Sequence, residues 1–557
     1  MARVLAIFLD GYEESCAQKL MAAGEMPEMV RLAKTSARFI LDHGAGQRTG
    51  LAGEHVATGL SPDDARRWSA VHFDPRTYEV WQEGTRLTPF AAHLAAPTVV
   101  FDMPYFDLRA ASAVNGAVAW GAHDPGVAQF SRPADLISEV KRKFGSYPAQ
   151  RWIYGFAWPS ADKCRSSGHD LAQAVDVRAQ IARWLLADRF PDWKLALIAV
   201  SEAHSVSEAL WHGINPQHRL HGIPSTAAAG AGVREVYHAI DRLVGNLASA
   251  FPDAITVVFS MGGMGDNRSD LQSMALLPEL MYRSAFKRAL FRQPKQWAWS
   301  AAGSSVFLSE EDTWQNQMAR AFTPPAKPLL YRLAGRFAPG FIKSALRPWR
   351  PAQPLTGGTV RSTQADASTP CLPLNWIPAS AYRYFWNAMP AFALPSFYDG
   401  RVRVNLRGRE ASGMVKLTDY KSVLLEIERM VRACIDPATG ESVVDFVEYT
   451  APPDPAELHE TQADLVFVWK GAAAAFQHPV LGRIGPLPYR RTGGHTGPTG
   501  VAYVHATDLS PGERGTRTAY DVVPTIITAL GEETKCPISG SSFLSRAELM
   551  RSGPIPV

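Results

Sequence analysis

Apolar residues gather in this chain into five short runs, and each run stops at a polar or charged residue. Val4–Leu9 stops at Asp10, Thr98–Phe101 at Asp102, Leu195–Val200 at Ser201 and Glu202, Ile255–Phe259 at Ser260, and Leu465–Trp469 at Lys470. The runs are rich in Val, Ile, Leu and Phe and show little alternation, which predicts strands buried on both faces. Helical stretches separate them. Asp176–Phe190 and Val233–Leu247 carry apolar residues at the spacing of amphipathic helices. Strands alternating with helices predict an α/β fold around a mainly parallel sheet. In such sheets ligands sit outside the carboxyl ends of the strands. The residues just beyond the runs are therefore the first candidates for chemistry.

The pattern divides the chain into three parts. Residues 1–270 form the first half of the predicted core. Residues 271–380 have few strand signals and an excess of Arg and Lys up to Arg350, and they read as an inserted basic cap. Within them, Lys327–Arg350 is basic and amphipathic, so it suits either a cap over an anionic substrate or a peripheral membrane contact. Pro351–Thr369 reads as a loop. Residues 381–557 resume the core with an alternating strand at Gly400–Asn405, a helix near Ser422–Cys434, and a closing helix in Tyr520–Gly531 with Asp521 as its candidate N-cap.

Composition narrows the classes. The 557 residues are 46% hydrophobic and 20% charged, ordinary for a soluble globular protein, and the net charge of +4 is small for this length. There is no nucleic-acid-binding signature. The five cysteines, at 16, 164, 371, 434 and 536, are scattered and contain no CxxC, which disfavours a cysteine zinc site or a disulfide framework. No signal-peptide pattern precedes the first strand, and no apolar run reaches the roughly 18–20 residues of a membrane span. The expected location is cytoplasmic, and the oligomeric state is open.

Several strand ends carry candidate groups. Asp10 can bind a metal or cap a turn. Thr49, ahead of the helical segment that holds Glu54 and His55, can be a helix cap or a nucleophile. His204, Glu208 and His212 are spaced by four, so in a helix they share one face with groups suited to zinc or manganese. A solvated polar face gives the same spacing. Glu202, His55 and Asp266 are possible additional ligands, and His495 lies in the Gly-rich loop Arg491-Thr-Gly-Gly-His495.

Taken in order, these pieces resemble the type I phosphodiesterase/nucleotide pyrophosphatase branch of the alkaline phosphatase superfamily. Leu9-Asp10-Gly11 is similar to that family's first metal aspartate. Thr58-Gly-Leu-Ser-Pro62 is similar to its T-G-L-x-P segment, and the family nucleophile nine residues earlier falls on Thr49. Ser201-Glu-Ala-His204 with Glu208 resembles the E-P-D-x-x-G-H segment, with His204 in place of the metal Asp and Glu208 in place of the metal His. Asn405-Leu-Arg-Gly-Arg-Glu410, Ala463-Asp-Leu-Val and Asp521-Val-Val-Pro-Thr match further, and His495 resembles the last metal histidine. The resemblance covers about 1–270 and 380–540. In two places the chain departs from it. The family's S-D-H-G-M segment is Ser260-Met261-Gly262-Gly263-Met264 here, without either metal ligand, and Ala52 stands where an Asn-type phosphate-binding residue is found.

The resemblance implies an alkaline-phosphatase-like α/β/α sandwich with an inserted cap. It implies a metal-dependent phosphoric ester hydrolase or transferase, most simply a phosphodiesterase. Thr49 would be the nucleophile, His204, Glu208 and His495 would hold one metal ion, and Asp10 would bind a second ion or orient Thr49. One zinc or manganese ion is expected rather than two. The alternative is a catalytically degenerate member that binds a phosphorylated ligand or a glycan.

Overall fold

The run Val4–Leu9 lies at the centre of a nine-stranded sheet. The computed structural model describes residues 2–292, 294, 297, 313–322 and 371–549. The sheet strands are β1 (Arg3–Leu9), β2 (Ala37–Asp42), β3 (Thr98–Phe101), β4 (Val114–Val118), β5 (Phe130–Arg132), β6 (Leu195–Val200), β7 (Ala254–Ser260), β8 (Gly500–His505) and β9 (Gly512–Thr518). Their order is β9-β2-β8-β7-β1-β6-β3-β4-β5. The pairs around β1, β3 and β6 are parallel, as is β2 with β9, whereas β8 runs antiparallel to both its neighbours and β5 to β4. The sheet is therefore mainly parallel.

Side-chain alternation along β1 shows why both faces are covered. Leu5, Ile7 and Leu9 enter one apolar cluster, with residues of the long helices Ala161–Trp184 and Thr226–Ala250. Val4, Ala6 and Phe8 enter another, with the closing helix Val522–Leu530. Such two-sided burial explains the unbroken apolar runs. The result is the expected α/β/α sandwich. The helix predicted at Asp176–Phe190 is the second half of Ala161–Trp184 plus a short π turn, Leu185–Arg189. Asp521 does stand at the N-cap of the closing helix, but its carboxylate accepts from the Ser541 N–H instead of capping.

One expectation about the sheet is corrected. Leu465–Trp469 is a strand, yet it belongs to a separate antiparallel sheet between Gly400–Val404 and Val444–Tyr449. An apolar run predicts a strand but does not carry the identity of its partners. This second sheet shares a third apolar cluster with the helix Leu277–Phe286 and residues 374–389. The basic segment Lys327–Arg350 lies outside the described residues. Among the described residues, no helix is long and apolar enough to cross a membrane.

Candidate metal centre

Asp10 follows β1 directly, and its N–H donates to the carbonyl of Val200 at the end of β6. Gly11 then takes φ +67°, and a Cβ there would lie 2.5 Å from the Cα of His204. The chain can pass this close only without a side chain. The helix Glu202–Leu210 starts where β6 stops and is buried along its whole length. His204 and Glu208 stand one turn apart on it. Nδ1 of His204 lies 3.0 Å from Oδ2 of Asp10, and its Nε2 lies 3.3 Å from Oε1 of Glu208.

His495 arrives on a loop tied down from three directions. Gly493 and Gly494 pair with Asp266 and Gly265, and the Thr492 N–H donates to the Glu208 carbonyl at 2.8 Å. A Cβ on Gly493 would approach the Ser207 carbonyl oxygen to 2.2 Å, so this docking also requires glycine. Gln47 donates to the carbonyls of His495 and Gly497. Nε2 of His495 then sits 3.0 Å from Nε2 of His204. Asp10, His204, Glu208 and His495 thus meet at the carboxyl edge of β1 and β6.

Five further groups at this place were not among the sequence candidates. The His123 ring stacks on His204 at 3.8 Å. Its Nε2 is 3.6 Å from Oε2 of Glu208 and 3.7 Å from Oδ2 of Asp124. Arg491 contacts Oε1 of Glu208 and grips Asp270 with two hydrogen bonds, and Arg490 joins the same carboxylate. The only available sequence signal for His123 and Asp124 was the end of β4, a run that Asn115 and Gly116 interrupt.

The other candidates lie elsewhere. The Thr49 hydroxyl donates to the Gly46 carbonyl at 2.7 Å and lines a cleft of about 890 Å³ with Arg48, Trp68, Arg401 and Tyr520. Asp10, His204 and His495 line a smaller pocket of about 40 Å³, to which Gly50, Ala52 and Gly53 contribute but Thr49 does not. His43 borders both. Thr49 is not the N-cap of the helix Ala52–Thr58, since Leu51 occupies that position; it closes the preceding 3-10 turn Gly44–Arg48. His55 hydrogen-bonds His43, and Glu202 is paired with the fully buried Arg178. The helix ends at Leu210, so His212 falls in the following 3-10 turn and bonds Ser225 rather than sharing the face of His204. Asp266 accepts from Trp211 and Asn215.

Electrostatics mark the centre as a place for a cation. Burial raises the Asp10 carboxyl, but the neighbouring His204 imidazole outweighs it and holds the group below the usual carboxylate range. Burial, then the proximity of His204, pushes His123 and His495 well below an ordinary imidazole. Burial raises Asp124 and Asp270 and pulls Arg491 down to about 10. Formally, the carboxylates of Asp10, Asp124, Glu208 and Asp270 outnumber the guanidiniums of Arg490 and Arg491 by two, the charge of one divalent ion. Asp10, His204 and His495 offer ligand atoms within 4.8 Å of one another, and so do His123, His204 and Glu208. Oε2 of Glu208 is buried without a hydrogen-bond partner among the described residues. The residues therefore fit a divalent cation bound through imidazole and carboxylate.

No family model matches the chain, and neither does any curated protein. Solved structures match it over nearly its whole length at low identity. Phosphonoacetate hydrolase from Sinorhizobium meliloti, in complex with phosphonoformate, is 13% identical over 95% of this chain and 96% of its own, with a TM-score of 0.48. Inactive murine ectonucleotide pyrophosphatase/phosphodiesterase 5, in complex with AMP, is 11% identical over 97% and 98%, with a TM-score of 0.44. The wild-type alkaline phosphatase PafA is 10% identical over 98% and 99%, with a TM-score of 0.49.

Proposed function

We propose that this protein is a divalent-metal-dependent hydrolase of phosphate esters, a member of the alkaline phosphatase superfamily on its phosphodiesterase-like side. The observation that carries the reading is the convergence of Asp10, His204, Glu208 and His495 from distant parts of the chain, in the order that the sequence motifs follow. His204 and His495 through their Nε2 atoms, with the Glu208 carboxylate, would hold the ion, zinc or manganese, and Asp10 would orient His204 from its Nδ1 side. When bound, such an ion supplies Lewis-acid polarisation of a phosphoryl oxygen.

The chain's own groups do the rest. Asp10 accepts the Nδ1 proton of His204, which fixes the tautomer and leaves the Nε2 lone pair facing His495 and Glu208. Thr49 is the proposed nucleophile. Its Oγ1 forms the bond to phosphorus as the bond to the ester oxygen breaks, the hydroxyl proton leaving with the alcohol; water then adds to phosphorus, gives a proton back to Oγ1 and releases the phosphoryl group. The hydroxyl is held on the Gly46 carbonyl, so attack requires rotation toward the pocket that Gly50 and Gly53 line.

The test is hydrolysis of an aryl phosphodiester and an aryl phosphomonoester with zinc, manganese or chelator. Wild type should turn over the diester only with metal, and His495→Ala and Thr49→Ala should both be inactive. Thr49→Ala should keep its metal and lose about 1–3 kcal/mol of stability, the two hydrogen bonds its hydroxyl makes with the Gly46 carbonyl and the Leu51 N–H. Full activity in Thr49→Ala would remove it from the mechanism. A second reading, binding of a phosphorylated ligand without turnover, draws on Met261-Gly262 and on the Arg491 guanidinium seated against Glu208. A wild type that loads metal yet hydrolyses neither ester would favour it.

A further inference from the structure

We infer that Tyr398 is a further phosphoryl-contacting residue of this site, its phenolic O–H donating a hydrogen bond to a phosphoryl oxygen held between Thr49 and the ion. The inference rests on the proposed site and adds a residue to it. None of the sequence motifs includes Tyr398.

The Tyr398 ring touches both partners of the proposed reaction. The His495 ring meets it in a T-shaped contact, with the ring centres 5.3 Å apart. A Cβ on Gly50, the residue after Thr49, would lie 3.2 Å from Cε2 of the same ring. Gly50 takes φ +76°, so the chain passes the ring closely and without a side chain. The loop that carries Tyr398 is fastened on either side of it. The Ser269 hydroxyl donates to the Phe397 carbonyl at 2.8 Å. Asp399 accepts from the Ser396 hydroxyl at 2.7 Å and from Nε of Arg401 at 2.8 Å. A ring supported in this way is oriented before any ligand arrives.

Other side chains of the small pocket have committed their hydrogens. Gln47 donates to the carbonyls of His495 and Gly497, the Ser260 hydroxyl donates to the Gly262 carbonyl, and His43 is bonded to His55. Met261, Gly262 and Ala52 bring no side-chain donor. Tyr398 lines the same pocket, and its hydroxyl makes no hydrogen bond to another described residue. Burial, then the carboxylates of Asp124, Asp10 and Asp270, keep the phenol protonated, so it meets a ligand as a donor. A fixed, neutral O–H aimed where charge grows on a phosphoryl oxygen stabilises the transition state without reorganising.

Anion binding and turnover are read separately. The zinc-loaded full-length protein is titrated with orthovanadate and with inorganic phosphate by calorimetry, and hydrolysis of the aryl phosphodiester is followed alongside. Tyr398→Phe removes one hydroxyl and keeps the ring. It should load zinc as wild type does and bind vanadate roughly tenfold more weakly or worse. Its kcat should fall about 100-fold while KM changes little. Tyr398→Met also removes the hydroxyl, should show the same losses, and serves if Tyr398→Phe misfolds. A zinc-loaded Tyr398→Phe that binds vanadate like wild type would overturn the inference, and so would a zinc-loaded wild type that binds neither anion. Vanadate bound by wild type and released by Tyr398→Phe, with no ester hydrolysed by either, would leave the Tyr398 contact standing and count against the hydrolase reading alone.

Discussion

The two flanks of β1 present the same strand-end geometry and opposite chemistry. On the β6 side, the turn leads into a helix that delivers His204 and Glu208 against Asp10. On the β7 side, Ser260 turns its hydroxyl onto the Gly262 carbonyl, and Met261 is buried in the apolar cluster beneath the sheet. Both flanks line the same small pocket. A parallel sheet thus provides places for ligands at every strand end, but the two or three residues after each strand decide whether a place becomes polar and charged or apolar and inert.

Removing the reactive flank should have the largest effect. His204→Ala takes out the imidazole between Asp10 and Glu208, and zinc affinity should fall on the order of 100-fold or more, read by competition with a chromophoric chelator. Affinity within a few-fold of wild type would show that the flanks differ less than their residues suggest.

Next comes the anchor of that flank. Arg178 is fully buried and joins Glu202, at the start of the His204 helix, to Asp102, which also accepts the N–H groups of Trp120 and Gly121 just before His123. Arg178→Met leaves two buried carboxylates uncompensated and should cost roughly 3–5 kcal/mol in denaturant unfolding. A loss under 1 kcal/mol would mean the network does not hold the flank together.

Building the other flank sharpens the comparison. A Cβ on Gly262 would meet nothing closer than the Gln47 side chain at 3.4 Å, so Met261→Asp with Gly262→His is sterically open there. Without metal the double variant should lose roughly 2–5 kcal/mol because an apolar core residue is gone. With zinc it should regain part of that loss and bind one more ion than wild type. No added ion would show that ligand type alone does not make the inert flank reactive.

The smallest effect concerns acid. Burial pulls His43, which borders both pockets, down to about 4 from an ordinary 6.5. The folded chain keeps it neutral until pH falls to about 4, while the unfolded chain takes up the proton near 6.5. Stability is therefore fully present above about 6.5 and is lost as pH falls toward 4, by at most about 1.4 kcal/mol per pH unit from this residue. His43→Asn should flatten the acid limb of a melting-temperature profile. An unchanged slope would assign acid sensitivity to other groups.

Much of the centre was legible in the chain because its parts sit at strand ends, and strand ends are visible as breaks in apolar runs. Asp10, His204 and Glu208 follow β1 and β6, whose runs are unbroken. His495 was legible only through motif order, since a histidine in a Gly-rich loop has no local signal of its own. His123 and Asp124 were not legible because β4 contains Asn115 and Gly116 and gives no clean run. Asp102 and Glu202 show the reverse limit. Both end apolar runs, yet Arg178 consumes them in a buried ion network that no spacing predicts. Leu465–Trp469 was read correctly as a strand and placed in the wrong sheet, because pairing depends on contacts far away in sequence.

The central claim is that one divalent ion sits among His204, Glu208 and His495, with Asp10 behind His204. Anomalous X-ray scattering at the zinc edge, from crystals of the zinc-loaded protein, tests it most directly. The account predicts a strong peak about 2.0–2.1 Å from Nε2 of both His204 and His495. The absence of anomalous density there, with the two imidazoles still about 3 Å apart and hydrogen-bonded to each other, would contradict it.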